Sequence, residues 1–238
     1  MSSLAVARLQ QSHNRLLAAL PAAEMKRLLV NLEPVEFAPR EIIAPAGDPL
    51  THLYFIESGL VSVVQPLDDG SVVEVGLVGR EGFVGLPLVL GTRTSPTEAI
   101  VQLKGRAMRI AAKQLREAAQ SNRQFAAFLL SFVHAFHIQV AQTAACNARH
   151  ALQQRLARWL LSAHDRCDGD ELTLSHEFLS MMLGRRRAGV TVALGTMKRA
   201  GQIGTSRGRI QIIDRRGLEK IACECYRLVR NEYRQLLP

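Results

Sequence analysis

Tryptophan occurs once, tyrosine three times and cysteine four times in 238 residues, and no cysteine precedes Cys146. The four thiols, Cys146, Cys167, Cys223 and Cys225, do not follow a zinc-finger spacing. Cys223-Glu-Cys225 falls in a helical stretch, where neighbours two apart point to different faces. Reduced, partly buried thiols and no metal site are therefore expected, with redox or metal sensing the alternative. No uninterrupted apolar run is long enough to span a bilayer, so no membrane partner is expected. The opening MSSLAVARLQQSHNRLLAAL has neither a compact apolar core nor a cleavage-site pattern. No signal peptide is therefore expected, and the cytoplasm is the expected location.

Charge of the two signs is balanced over most of the chain and unbalanced only towards one end. Residues 1–148 hold 13 Lys+Arg against 12 Asp+Glu, whereas residues 149–238 hold 17 against 9, so nearly all of the net charge of +9 lies in the last ninety residues. An apolar fraction of 47% and a charged fraction of 21% are those of a globular protein. A neutral body with one basic end points to a polyanion, and nucleic acid is favoured.

Residues 13–31 carry Leu16, Leu17, Leu20, Met25, Leu28 and Leu29 at helical spacing, with Pro21 as a break. From Pro34 to Ile110 the pattern changes to short apolar runs. Strands are predicted at Val35–Phe37, Glu41–Ile43, His52–Ile56, Leu60–Val64, Val72–Val78, Gly82–Val84, Glu98–Leu103 and Ala107–Ile110. Gly, Pro and Asp clusters separate them, and Asp68-Asp69-Gly70 is a hairpin signal. Many short strands at this spacing predict a sandwich, roll or barrel.

Helical periodicity returns near residue 111. Phe125, Phe128, Leu129, Phe132, Val133, Phe136 and Val140 make an apolar stripe more than four turns long. Such a stripe is either ordinary core or a seam between two copies of the chain. A single helix between two domains has little core to enter, so Phe125, Phe128, Leu129, Phe132, Phe136 and Val140 are expected to form a dimer interface. His134 and His137 flank it as ordinary polar positions. A further helix follows at Arg149–Ala163, then a DRCDGD turn, and the chain closes with one amphipathic helix from Gly217 to Leu237.

Leu172–Asp214 carries the most specific pattern. Ser175 is placed to cap a short helix whose stripe is Phe178, Leu179, Met182 and Leu183, and Gly184 supplies a left-handed C′ position. A second helix buries Val190, Ala193, Leu194 and Met197 and turns Arg187, Thr191 and Lys198 outwards. Gly201 closes it, and a hairpin-like turn around Thr205-Ser206-Arg207-Gly208 follows. Two packed helices with a basic outer face and an added hairpin form a winged helix-turn-helix, which enters a DNA major groove. Arg187 is the expected base contact, since its planar fork matches guanine O6 and N7. Ser175 and Arg186, and Arg207 and Arg209 in the wing, are phosphate candidates. Arg185 stands beside them at the turn as a DNA-binding candidate, Thr191 could touch a base edge or a thymine methyl, and Lys198 completes the outward face. Gly189 costs its helix about 1 kcal/mol relative to Ala, which either a close approach of backbone to DNA or a relaxed constraint at that position would explain.

The order of these parts resembles the Crp-Fnr family of bacterial transcription regulators over nearly the whole chain. The resemblance rests on Gly47-Asp48 before His52-Leu-Tyr-Phe-Ile56, on Glu57-Ser-Gly59, on Gly82-Phe-Val-Gly85 and on the helix-turn-helix at Phe178–Ala200. It implies an α+β chain: a jelly-roll-like, cyclic-nucleotide-binding-like β-roll with an N-terminal helix over residues 1–118, a dimerisation helix over 119–147, and a winged helix-turn-helix domain over 148–238. It further implies a non-enzymatic, DNA-binding homodimer on an inverted repeat.

The effector pocket implied by the family would involve Gly85, Leu86, Arg93 and Thr97. The ribose-holding Glu of cyclic-AMP-binding members is Leu86 here, and Pro96-Thr97 stands where their phosphate-holding Arg-Ser pair would be. A buried cyclic phosphate without those donors is uncompensated, so an effector other than cyclic AMP is expected. A cyclic-nucleotide response through a rearranged pocket, with Arg93 as substitute, is the alternative. No cysteine stands near the N-terminus for the family's iron–sulfur centre, His52 is only a conceivable haem ligand, and no cofactor is expected. A cupin-type enzyme would need several His and a Glu inside the roll, which holds only His52. The operator should differ from the family's commonest one, since Ala188 and Val192 replace its usual Glu and Arg. The expected partners are double-stranded DNA, a second copy of the chain, an unidentified small molecule and, as a further candidate, RNA polymerase.

Overall fold

The computed structural model describes residues 12–236. Residues 1–11, which open the stretch tested above for a signal peptide, and Leu237, the expected end of the last helix, lie outside the described residues. Pro21 separates α1 (Arg15–Ala18) from α2 (Ala22–Leu29), as its missing N–H and fixed φ require. Asn14 caps α1 by accepting from the Leu17 N–H. Its buried amide donates to the carbonyls of Ile56 and Gly82 at 2.9 and 2.7 Å, which pins the helix to the roll.

The roll consists of β1 (Leu32–Phe37), β2 (Ile42–Ala44), β3 (His52–Pro66), β4 (Val72–Val78), β5 (Phe83–Val84) and β6 (Glu98–Ala111). All pair antiparallel in the order β1-β6-β3-β4, with β2 also on β6 and β5 on β3. Two predicted breaks are not breaks. Ser58-Gly59 and Lys104–Arg106 lie inside β3 and β6, which run on through a series of register shifts. Gly59 has φ +86°, and a Cβ at Gly59 or Gly105 would run into the facing backbone. These two glycines let long strands cross at close range, a bulge where turn chemistry suggested an end. The Asp68-Asp69-Gly70 hairpin is present, with the Asp69 carboxylate accepting from the N–H and hydroxyl of Ser71.

After α3 (Leu86–Val89) and α4 (Ala112–Ser121), the helix α5 (Arg123–Arg149) starts at Asn122, whose side chain accepts from the Phe125 N–H. Here the expected dimer seam is corrected. Phe125, Leu129, Phe132 and Phe136 are buried in the chain's own core. The Phe132 ring lies 4.6 Å from that of Phe83 and 6.3 Å from that of Tyr233, over the space left by Gly82. The roll and the last helix supply the core that a lone connecting helix would lack; Phe128 and Val140 sit half-buried at its edge.

The exposed face of α5 is a different one. Ala127, Leu130, His134, His137, Ala141, Ala144 and Ala148 are all exposed and alternate at spacings of three and four. By length and composition α5 could cross a membrane; in this fold one side of it packs on β4 and the C-terminal helix.

The basic half contains α6 (Leu152–His164), β7 (Glu171–Leu172), α7 (His176–Met182), α8 (Arg187–Arg199), β8 (Ile203–Ser206), β9 (Arg209–Ile212), α9 (Arg215–Ile221) and α10 (Glu224–Leu236). The short strands pair in the order β7-β9-β8. The single terminal helix predicted from Gly217 is two helices, broken at Ala222–Cys223, where Ala222 turns to extended backbone at ψ 145°.

Helix α6 is buried nearly all round because it lies between the roll and the basic half. Buried polar groups join the two halves. Trp159 Nε1 donates to Glu74 of β4 at 2.8 Å, while the Ser62 hydroxyl donates to the other carboxylate oxygen at 2.5 Å. Arg166 Nε donates to Glu81 at 2.6 Å, with Ser162 O and Gln139 Oε1 accepting its other N–H groups and the Tyr233 ring 5.4 Å away. Burial opposes charge on Arg166, but Glu81 beside it outweighs that and its pKa is raised.

Candidate nucleic-acid interface

The helix pair is built as its sequence dictates. Ser175 Oγ accepts from the Phe178 N–H at 3.1 Å, and Glu177 sits in the first turn of α7 at the positive end of its dipole. The chain leaves α7 through Gly184 at φ +57°, with the Gly184 and Arg185 N–H groups bonding to Met181 O and Ser180 O. Val190, Ala193, Leu194 and Met197 are buried, which fixes the rotation of α8 and turns its other side to solvent.

On that side Arg185, Arg186, Arg187, Thr191 and Lys198 are exposed. Three guanidinium groups thus crowd the N-terminal end of α8, which carries no acidic residue in its first turn and no side-chain cap. None of the three forms an ion pair among the described residues. Cations at the positive end of a helix dipole are unfavourable, by about 0.3–1 kcal/mol each, whereas an anion there meets free N–H donors and three positive charges. The hairpin β8–β9 turns at Arg207-Gly208, with Gly208 at φ +71°. Arg207 is exposed at its tip. Arg209 is held by Glu171 at 3.1 Å, an exposed pair that a phosphate can displace.

Some features were not legible in sequence. Thr191 Oγ1 is hydrogen-bonded to His176 Nδ1 at 3.1 Å, so its hydroxyl already has a partner. Gly189 has an internal reason: a Cβ there would lie 3.3 Å from Leu152 Cδ2. Close approach of α8 to α6 is a reason for glycine that lies within the chain.

The expected effector residues divide. Gly85 is buried at φ +113°, where a Cβ would press on Leu53 and on the carbonyl of His52, and Leu86 packs on the core. Arg93 lies exposed on a loop, and Thr97 Oγ1 is hydrogen-bonded to Ser95 Oγ at 2.7 Å. A cavity of about 220 Å³ lies between Arg166, Tyr226 and Tyr233, and another of about 320 Å³ between Leu20, Gln114 and Phe125. Neither is lined by these four residues. His52 Nδ1 is engaged by the Thr51 hydroxyl at 2.9 Å.

The expectation that Cys223 and Cys225 face apart is overturned. The break before α10 brings both to Cys146 and His150 at the end of α5.

A β-roll, a long helix and a winged helix-turn-helix with an exposed basic helix end define a DNA-binding regulator. Residues 34–122 match the model of the cyclic nucleotide-binding domain, and residues 154–221 that of the Crp-like helix-turn-helix domain. The transcriptional regulator LdrP of Thermus thermophilus is 33% identical over 194 residues, covering 78% of this chain and 95% of its own. The chain belongs to the Crp-Fnr family. Among solved structures it is similar to FixK2 of Bradyrhizobium japonicum (TM-score 0.70, 18% identity, 81% of this chain and 98% of that one). It is also similar to a transcriptional regulator of the family from Eubacterium rectale (TM-score 0.68, 20% identity, 89% and 99%).

Proposed function

We propose that the protein acts in the cytoplasm as a homodimeric transcription regulator that binds an inverted-repeat operator and takes an effector other than cyclic AMP. Residues 1–118, 119–147 and 148–238 are its sensor, dimer and DNA-binding units. The observation that carries this is the end of α8, where Arg185, Arg186 and Arg187 surround uncapped N–H groups and form no ion pair among the described residues. Arg187 reads a base, while Arg185, Arg186, Ser175, Arg207 and Arg209 hold phosphates, and Thr191 and Lys198 border the groove. Ser175 Oγ serves as cap acceptor and keeps its O–H free to donate outwards.

Dimerisation runs through the exposed face Ala127, Leu130, His134, His137, Ala141, Ala144 and Ala148. Its alternating three-four spacing is that of a coiled-coil seam, and its alanines let two backbones come close. RNA polymerase is the further partner through which a bound regulator would act.

Binding of a labelled DNA duplex at a series of salt concentrations tests the interface. With four phosphate-holding arginines per protomer, the log–log slope for a dimer is about −7; a slope near zero contradicts it. Calorimetric titration with cyclic AMP and cyclic GMP tests the effector statement: no stoichiometric heat is expected, and tight binding of either overturns it.

A further inference from the structure

Three cysteines and a histidine converge where the end of α5 meets the start of α10. Cys146 Sγ lies 3.5 Å from Cys223 Sγ, and Cys225 Sγ lies 3.5 Å from His150 Nδ1. All four ligand atoms fall within 4.8 Å of one another. The three cysteines are buried and free, and His150 is largely covered. We infer that Cys146, His150, Cys223 and Cys225 form a tetrahedral site for a single thiolate-preferring divalent metal ion, zinc by its ligand set.

Local structure explains how residues far apart in sequence meet. Cys146 and His150 stand one helical turn apart at the end of α5, where the His150 N–H closes the last turn on Cys146 O. Cys223 lies in the break between α9 and α10, and Cys225 in the first turn of α10. Two ligand pairs already stand at the spacing of one ion, and the others, within 4.8 Å, need only small side-chain shifts to close on it. A tetrahedron with zinc–sulfur bonds of about 2.3 Å and a zinc–nitrogen bond of about 2.0–2.1 Å puts neighbouring ligands about 3.6–3.8 Å apart. An iron–sulfur cluster interposes further iron and sulfide atoms and needs a wider spread of ligands.

The surroundings match as well. His150 Nε2 lies 3.3 Å from a Glu224 carboxylate oxygen, which orients the ring and leaves Nδ1 facing the thiols. Gln142 Nε2 donates to Cys225 Sγ at 3.0 Å. Three thiolates and an imidazole around a dication leave one net negative charge. Two buried guanidinium groups, Arg155 and Arg158, act on the cluster electrostatically, and the Nε atom of each has no hydrogen-bond partner among the described residues. Binding releases the thiol protons and forms metal–sulfur bonds with no change of oxidation state.

The position gives the ion a consequence. The two residues His150-Ala151 are the whole joint between α5 and α6. An ion on both sides of that joint fixes how the helix-turn-helix half sits on α5. That consequence rests on the DNA-binding function proposed above; the metal test uses no DNA, so the two fail separately.

The full-length protein, purified under reducing conditions without chelator, is analysed for metal by mass spectrometry and then reloaded with Co²⁺. One zinc per chain is expected, with the absorption of tetrahedral thiolate-bound cobalt after exchange. Cys223→Ser and His150→Ala should lose stoichiometric metal, Glu224→Ala should weaken it by about 10–100-fold, and Cys167→Ser, outside the cluster, should keep it. Wild-type protein that takes up neither ion, or forms a Cys146–Cys223 disulfide in place of binding, overturns the site. So does a Cys167→Ser variant as deficient as Cys223→Ser. The cobalt spectrum of the wild-type protein decides the matter even if a cysteine variant fails to fold.

Discussion

Glu74→Gln should stabilise the protein at alkaline pH and erase part of its pH dependence. Glu74 is buried between β4 and α6, and burial pushes its carboxyl up to about 7, against the opposing pull of Ser62, Arg158 and Trp159. The ordinary value is 4.5, so the fold favours the protonated acid. Its contribution to stability is fully present below pH 4.5 and is lost as the pH rises through about 7. The loss is about 3 kcal/mol, at about 1.4 kcal/mol per pH unit.

Glutamine reproduces the neutral acid. Its carbonyl accepts from Trp159 Nε1 and its amide donates to Ser62 Oγ. Urea unfolding from pH 4.5 to 8.5, read by fluorescence of the sole tryptophan, Trp159, measures the difference directly. It should grow from near zero at the acid end to about 3 kcal/mol in favour of Glu74→Gln at the alkaline end. A difference flat across this range, or a variant less stable at pH 8, would show that Glu74 is ionised in the fold and held by Arg158 and Arg166.

Arg187→Ala should weaken operator binding by about 1–3 kcal/mol and relax preference at one position per half-site; equal weakening on every sequence would assign Arg187 to a phosphate instead. Arg166→Ala leaves Glu81 buried without its cation and should cost about 3–5 kcal/mol in denaturant unfolding. Leu130→Glu with Ala141→Glu should give a folded monomer in sedimentation, since both residues are exposed. Phe132→Ala should instead cost about 3–5 kcal/mol of unfolding free energy, because that ring fills the chain's own core. If Phe132→Ala only separated the protomers, the assignment of the two faces of α5 would be reversed.

The helix-turn-helix was legible because its determinants are local: Ser175 before a stripe, Gly184 at a left-handed position, and apolar residues at helical spacing on α8. The roll was legible as a class, but not where Gly59 and Gly105 carry two strands past each other, since a glycine that permits a crossing looks like one that makes a turn. On α5 the periodicity was right and the partner wrong. Spacing identifies which residues share a face, not whether the roll or a second copy covers it, and the phenylalanines drew attention from the alanine face opposite. The cysteine cluster was hidden for a similar reason. Nothing local in Lys220–Glu224 announces a helix break, so Cys223 and Cys225 read as residues on opposite sides of one continuous helix.

The most direct test of the account is selection of bound sequences from a random duplex library with the full-length protein. The account predicts enrichment of an inverted repeat whose half-site centres lie about one helical turn, near 34 Å, apart, lost in Arg187→Ala. Recovery of no sequence beyond the random background, or of a single unrepeated half-site, would contradict it.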